Sequence, residues 1–519
     1  MFLEKAKTPE EVGVNSGVVL EFFNLMKEMG VENHGFVVIK DGKVAVENYT
    51  APFGPQYAHS CFSVSKGLIS TAVAFAIEDG LMSLDTPILK YYPEYEKYAK
   101  KDPRNAKITV RDLLLMSSGK KCKFVKDMTK GNYSDDWIKY KFRKDNNFMY
   151  SNDDVYMIAK AITRIYKCSI IDFLMPRLFE PLGIERPFWE TTTEGIEAGA
   201  TGLYLKTMDL AKIAYCYACD GMWEGKQVIP KEWTEIAGQY YVDLPPYYNT
   251  SKKYGYFFWG DPNGDYRFDG MYGQWAIVLK KYNAVVAFND SSCNVQAFID
   301  EMWKYFPRAF IEQSDGSKIA ELQELFKKNG EFEVPKAERS PKEKECEGTY
   351  KLHSIYKIGD AFNQPVSMMP MVDNGTMPQH SKKSMDDLNL KFTDTGLVLN
   401  WSEGEEINTI EIGLDGNLKE SNTVLGTFPF KTVSYGQWLD ENKLELIIRF
   451  IETPVSRKMV LKFKKNKIKI KVTSIPTVKE FVFGYIGEVS IKPTPFVKAM
   501  LTPVLKVLEP TLTYKRVKG

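Results

Sequence analysis

Ser63 and Lys66 stand three residues apart in His59-Ser60-Cys61-Phe62-Ser63-Val64-Ser65-Lys66-Gly67. An apolar run follows that reads as a helix from Ser63 to about Asp79, closed by Gly80. At that spacing the two side chains share one face of the first turn. A serine hydroxyl is a poor nucleophile until a base takes its proton. A lysine can be that base when burial or competing cations lower its pKa. The helix N-terminus adds a positive dipole end beside a developing oxyanion. A second cluster, Tyr150-Ser151-Asn152, follows a polar loop and precedes the helical run DVYMIAKAITRIY. A tyrosine beside a lysine can share the work of the base. An asparagine amide can bind a substrate carbonyl and orient the lysine. Each cluster alone also fits a duller reading, a capped helix with a solvated lysine or a solvated loop turn.

These residues need elements to hold them together. Apolar positions in SGVVLEFFNLMKEMG mark a helix within residues 1–30, and HGFVVIKDGKVAVENY marks two strands around Asp41-Gly42. Residues 90–200 are rich in helix and loop signals, and a helix returns at Thr207–Gly221. YGYFFWG, YRFDG, QWAIVLKK and AVVAFND read as strands, and VQAFIDEMWKYF as a helix. Strands at both ends with helices between predict an α+β fold. One antiparallel sheet is flanked by helices, with an inserted all-helical subdomain at about 90–205. The expected domains are a catalytic domain over 1–312, a linker with one helix over 313–345, and a β-rich, barrel or lipocalin-like domain with a basic tail over 346–519. The tail from Ile491 carries six Lys/Arg against one Glu, and is expected to dock on its own domain rather than on a membrane surface.

Composition narrows the functions. With 519 residues, at roughly 150 per domain, the chain has room for about three units. Lys plus Arg is 69 and Asp plus Glu is 67, a net charge of +2 that leaves no footprint for nucleic acid. There are four histidines, so a His-rich metal site is disfavoured and a Ser-His-Asp triad would need His34 or His59, both expected to be structural. The seven cysteines are scattered, and Cys216 and Cys219 read as core residues of a helix rather than a zinc site. No metal and no cofactor is expected. The N-terminus lacks a signal-peptide pattern and no apolar run is long enough to span a bilayer, so a cytoplasmic protein without an integral membrane segment is expected. A homo-oligomer is left open.

Together the motifs resemble the serine β-lactamase and penicillin-binding-protein superfamily, and within it the class C-like esterase, amidase and D-aminopeptidase branch. The resemblance covers about residues 10–310. It is carried also by Gly80-Leu81-Met82-Ser83-Leu84-Asp85-Thr86-Pro87, by Ile108–Leu114 running to Ser117-Ser118-Gly119, and by Thr201-Gly202-Leu203 with Asp209-Leu210-Ala211. It implies a β-lactamase/transpeptidase-like fold, Ser63 as the acylated nucleophile, Lys66 and Tyr150 as the general acid/base pair, and Asn152 as a substrate-binding residue. The family's third motif, usually Lys-Thr-Gly or His-x-Gly, is matched by Phe268-Asp269-Gly270. That match implies close backbone approach at Gly270 and places the Met271 N–H beside that of Ser63 as oxyanion donor. The side chains that grip a β-lactam carboxylate are missing there. Asp269 either lines the pocket and favours a cationic or neutral substrate, or points away. The implied activity is cleavage of a small-molecule ester or amide. The alternatives are a D-amino-acid peptidase or β-lactamase, and a non-catalytic penicillin-binding-like sensor.

Overall fold

The computed structural model describes residues 3–517 apart from 123–132, 246–250, 252, 262–263, 354–365, 371–379, 382 and 490–493. The chain divides into two compact units, Met1–Gly330 and Glu331–Gly519.

The first unit is built on a nine-stranded sheet. Its strands are β1 (Glu4–Lys5), β2 (Asn33–Lys40), β3 (Lys43–Asn48), β4 (Val242–Asp243), β5 (Lys253–Tyr254), β6 (Trp259–Gly260), β7 (Tyr266–Gly270), β8 (Gln274–Leu279) and β9 (Ala284–Asp290). Their order is β1-β3-β2-β9-β8-β7-β6-β5-β4, antiparallel except for β1 on β3. The β2–β9 pairing joins the two ends of the unit, Ile39 opposite Val285 and Phe36 opposite Phe288.

Side chains alternate between the two faces, as a pleated strand requires. Val37, Ile39, Ala276, Val278, Val285 and Ala287 enter one core, shared with α2 (Ser65–Glu78), α3 (Asn152–Tyr166) and α4 (Thr207–Ala218). Phe36, Val38, Trp275, Ile277, Val286 and Phe288 enter the other, against α1 (Ser16–Glu28) and α5 (Val295–Met302). The helix expected within residues 1–30 begins only at Ser16, where the Asn15 side chain accepts from the Gly17 and Val18 N–H groups.

Three elements differ in detail from the sequence reading. The run YGYFFWG is two short strands, β5 and β6, because the chain turns between them with Phe257 at φ 68°. The helical insert carries a small three-stranded sheet, with Leu203–Leu205 between His59–Ser60 and Phe188–Trp189. The helix expected in the linker, α6 (Ile319–Asn329), packs on α1 with Phe326 5.0 Å from Phe23, so this unit runs past residue 312.

The second unit is a ten-stranded sheet: β10 (Gly348–Leu352), β11 (Met385–Phe392), β12 (Gly396–Glu403), β13 (Glu406–Gly413), β14 (Lys419–Leu425), β15 (Phe428–Asp440), β16 (Lys443–Phe450), β17 (Ser456–Lys464), β18 (Lys467–Ile475) and β19 (Thr511–Arg516). Gly413 of β13 pairs with Tyr435 of β15, which closes nine of them into a barrel and leaves β14 on the outer half of β15. The basic tail thus ends as a barrel strand, β19, seated between β10 and β18.

Candidate active site

Ser63 sits on a tight turn ahead of α2. Phe62 has φ 45°, a left-handed conformation that non-glycine residues rarely adopt, and Phe62–Val64 form a single 3-10 turn. The regular helix therefore starts at Ser65 rather than Ser63. The turn is pinned from both sides. The Ser65 hydroxyl donates to the Phe62 carbonyl at 2.6 Å and accepts from the Leu203 N–H at 3.3 Å. The Cys61 N–H donates to the Leu203 carbonyl at 2.8 Å. Strain of this kind persists only where surrounding contacts hold it, and here it lifts Ser63 to the surface of an otherwise buried segment.

Lys66, one turn on, is 2% exposed. Its Nζ lies 2.8 Å from Ser63 Oγ and donates to the Ala200 carbonyl at 2.7 Å. Burial drives its pKa well below the ordinary lysine value, and the Asp269 carboxylate opposes this only in part. An uncharged amine at hydrogen-bond distance from a serine hydroxyl is a competent proton acceptor. The next residue, Gly67, lets α2 lie directly on β7, since a Cβ there would fall 2.3 Å from the Phe268 ring.

Tyr150 leads into α3, whose N-cap is Ser151, the side chain accepting from the Asp154 N–H at 3.1 Å. The Lys66 Nζ stands 4.8 Å from the Tyr150 ring centroid. Burial raises the Tyr150 pKa above that of free tyrosine, a hydrogen bond with Ser63 partly offsets this, and Asp269 adds to the rise. Burial thus favours the neutral form of both groups, the phenol of Tyr150 and the amine of Lys66. Asn152, the first residue of α3, has a buried Oδ1 with no hydrogen-bond partner among the described residues. A buried amide atom left open is a point where a ligand gains by binding.

Gly270 ends β7. A Cβ on it would fall 2.3 Å from the Cys61 carbonyl, so the strand end lies against the backbone that carries the nucleophile turn. Met271 follows in the turn to β8, with Tyr272 at φ 63° and Gly273 at φ 81°. The orientation of Asp269 follows from register. Asp269 opposes Trp275 and Phe268 opposes Ala276, so Phe268 faces α2 and Asp269 the other side of the sheet. It is nevertheless 18% exposed, and its charge acts on both Lys66 and Tyr150. Arg267, on the same side as Asp269, donates from Nε to Asp269 at 2.7 Å and from Nη1 to Ser251 and Asp261.

Three participants escape the sequence reading. The Ala200 carbonyl is a backbone group, marked only by the Thr201-Gly202-Leu203 that follows it. Trp259, 6.0 Å from the Tyr150 ring, lies in a run that reads as strand core. Arg267 was part of YRFDG, with no sign that it links two carboxylates. His34 and His59 are paired, Nδ1 to Nε2 at 2.9 Å, and both are buried; burial first, and then His34, holds His59 well below its ordinary pKa. Cys216 is buried and Cys219 half-buried, both as free thiols. Among the described residues no group of three His, Cys, Asp or Glu could hold a metal ion, and no helix is long and apolar enough to cross a membrane.

The fold and this arrangement agree with a match to the beta-lactamase family model over residues 22–292, and the chain belongs to that family. It is 23% identical over 262 residues to an uncharacterised protein of Alkalihalophilus pseudofirmus, covering 44% of this chain and 72% of that one. It is 22% identical over 220 residues to the 6-aminohexanoate-dimer hydrolase of Paenarthrobacter ureafaciens, covering 38% of this chain and 55% of that protein. Among solved structures, a Bacillus anthracis protein provisionally named a 6-aminohexanoate-dimer hydrolase shares the fold with a TM-score of 0.50 at 18% identity, covering 60% of this chain and 87% of that one.

Proposed function

We propose that this protein is a serine hydrolase that cleaves an ester or amide through an acyl-enzyme on Ser63. One observation carries the reading: a lysine 2% exposed, with its pKa depressed by burial, whose Nζ is 2.8 Å from a half-exposed serine hydroxyl. Ser63 Oγ attacks the acyl carbonyl and its proton passes to the Lys66 amine. The carbonyl oxygen becomes an oxyanion facing the N–H groups of Ser63 and Met271. Tyr150, hydrogen-bonded to Ser63, relays the proton to the departing alcohol or amine, and the C–O or C–N bond breaks. Water then repeats the sequence on the acyl-enzyme, giving up a proton through the same pair and releasing the acid. Asn152 binds the substrate beside the reacting carbonyl. The relative from Paenarthrobacter, named for hydrolysis of a dimer of 6-aminohexanoate, supports hydrolysis as the reaction type.

A β-lactamase or a D-amino-acid peptidase that reads a substrate carboxylate is the weaker reading, because Asp269 places negative charge where that carboxylate would need a cation. A non-catalytic sensor would have no need of a buried lysine with a depressed pKa against the serine. The test is labelling by a fluorophosphonate probe and turnover of p-nitrophenyl acyl esters, comparing wild type with Ser63→Ala. Labelling and turnover that vanish in Ser63→Ala are expected. A wild type that neither labels nor turns over overturns the enzyme reading, and turnover that survives Ser63→Ala moves the nucleophile elsewhere.

A further inference from the structure

Asp269, Trp259 and Arg267 adjoin the catalytic cluster without a part in its proton transfers. Cross-strand pairing sets Trp259 opposite Arg267 and Asp269 opposite Trp275, so these side chains share one side of the sheet. Tyr150 reaches the same side, its ring 6.0 Å from Trp259. Trp259 and Asp269 are half-buried and open to an arriving molecule, as are Ser63, Tyr150 and Asn152.

The charges here do not cancel. The Arg267 guanidinium, 4% exposed, lies 6.0 Å from the Trp259 ring and is shared between two carboxylates, those of Asp269 and Asp261. Among the described residues, one cation between two anions leaves an excess of negative charge once both carboxylates have ionised. Lys66 offsets this less than an ordinary lysine would, since burial drives its pKa well below the usual value. A low-dielectric pocket magnifies such an excess. A half-exposed indole on the same side of the sheet as a half-exposed carboxylate, with both reached through Arg267, offers an ammonium group aromatic surface and negative charge together.

We propose that Asp269 and Trp259 form a subsite that selects acyl groups bearing a cationic amine and turns away those bearing a carboxylate. This rests on the serine hydrolase reading and names the substrate class for the same site. Asp269 acts as the specificity-determining residue, and Arg267 as a positioning residue that holds its carboxylate in place.

The experiment compares three p-nitrophenyl esters of equal acyl length: butyrate, 4-(trimethylammonio)butyrate and hemisuccinate. Each kcat/KM is divided by the ester's own rate of hydroxide hydrolysis, so that intrinsic reactivity drops out. Burial pushes Asp261 up to about 7 and raises Asp269 as well, with Arg267 opposing the rise in both, so the assay is run at pH 8 to favour their charged forms. The cationic ester should exceed the anionic one by about tenfold or more, and the ratio should fall as salt is raised to about 0.5 M. Asp269→Asn and Trp259→Leu should each reduce that ratio several-fold. Should Asp269→Asn fail to fold, the wild-type ratio, its salt dependence and Trp259→Leu still decide. Equal rates for the two charged esters, an anionic preference, or a ratio untouched by Asp269→Asn would overturn the proposal. Ser63-dependent turnover of the neutral butyrate would leave the hydrolase reading standing in each of those cases. No turnover of any ester would instead defeat the hydrolase reading, and this proposal with it.

Discussion

Replacing Lys66 by methionine separates the effect of the lysine on stability from its effect on chemistry. Methionine keeps the unbranched apolar stem and carries no proton. In the folded protein burial holds the Lys66 amine well below its ordinary value of 10.5, while in the unfolded chain it titrates normally. Between the depressed value and the ordinary one, the unfolded state binds more protons than the folded state. Wild-type stability must therefore rise with pH across that window, by up to about 1.4 kcal/mol per pH unit. Unfolding entropy of roughly 2.1 cal/mol/K per residue, taken over a unit the size of Met1–Gly330, converts this to about 2 °C of Tm per pH unit. Lys66→Met removes the effect and also loses the contacts with Ser63 Oγ and the Ala200 carbonyl, worth about 1 kcal/mol each. The Tm of the variant relative to wild type should then be highest near neutral pH and fall by about 2 °C per unit toward pH 10. Over the same range its kcat/KM for p-nitrophenyl butyrate should stay at least about 10²-fold below wild type. Thermal denaturation at four or five pH values and a pH–rate profile read both quantities. Parallel Tm curves would refute the uncharged amine, and a rate loss under about tenfold would refute Lys66 as the base.

Other consequences follow from the same contacts. Tyr150→Phe should lower kcat/KM by about 10²-fold with little change in Tm, because the ring and its packing on Trp259 remain; wild-type rates would exclude the relay. Gly67→Ala places a Cβ 2.3 Å from Phe268, which Phe258 and Tyr217 hold in place at 4.8 and 5.6 Å. Overpacking of about 1–3 kcal/mol should outweigh the helix-propensity gain of about 1 kcal/mol, so Tm should fall, and a rise would contradict the packing. In the barrel, burial disfavours charged His380, but Glu403 and Glu406 more than offset it and hold its pKa up at about 9. A raised folded value gives stability that is full below the unfolded value near 6.5 and is lost as pH climbs through about 9, amounting to about 3 kcal/mol. The Tm advantage of wild type over His380→Gln should therefore shrink between pH 6.5 and 9.5, and a constant gap would count against the ion cluster.

How much of this was legible beforehand depended on how local each feature is. Ser63 and Lys66 are visible because their geometry is set within one helical turn, and Tyr150 and Asn152 because they flank a helix start. The order of strands, helical insert and returning strands was enough for the α+β fold and the separate β-rich unit. What could not be read comes from contacts distant in sequence. Asp269 faces as it does because β7 pairs with β8 in one register, Ala200 contributes a carbonyl that no side chain advertises, and Trp259 meets Tyr150 only once β6 is seated. The α6 helix looks like a linker because its charged face dominates its sequence, yet Leu322, Leu325 and Phe326 anchor it on the core that holds Phe23.

The position of β19 has a bearing on how the chain is made. Thr511–Arg516 fills the gap between β10 and β18, so the ring cannot close during synthesis until that strand has emerged. Until then β10 and β18 are open edges, and β18 alternates Ile468, Ile470 and Val472 with lysines. Such a strand pairs readily with other chains, and its lysines are what discourages this. Termination of the chain just before Thr511 would thus leave the whole of the Met1–Gly330 unit intact and still release a protein prone to associate edge to edge.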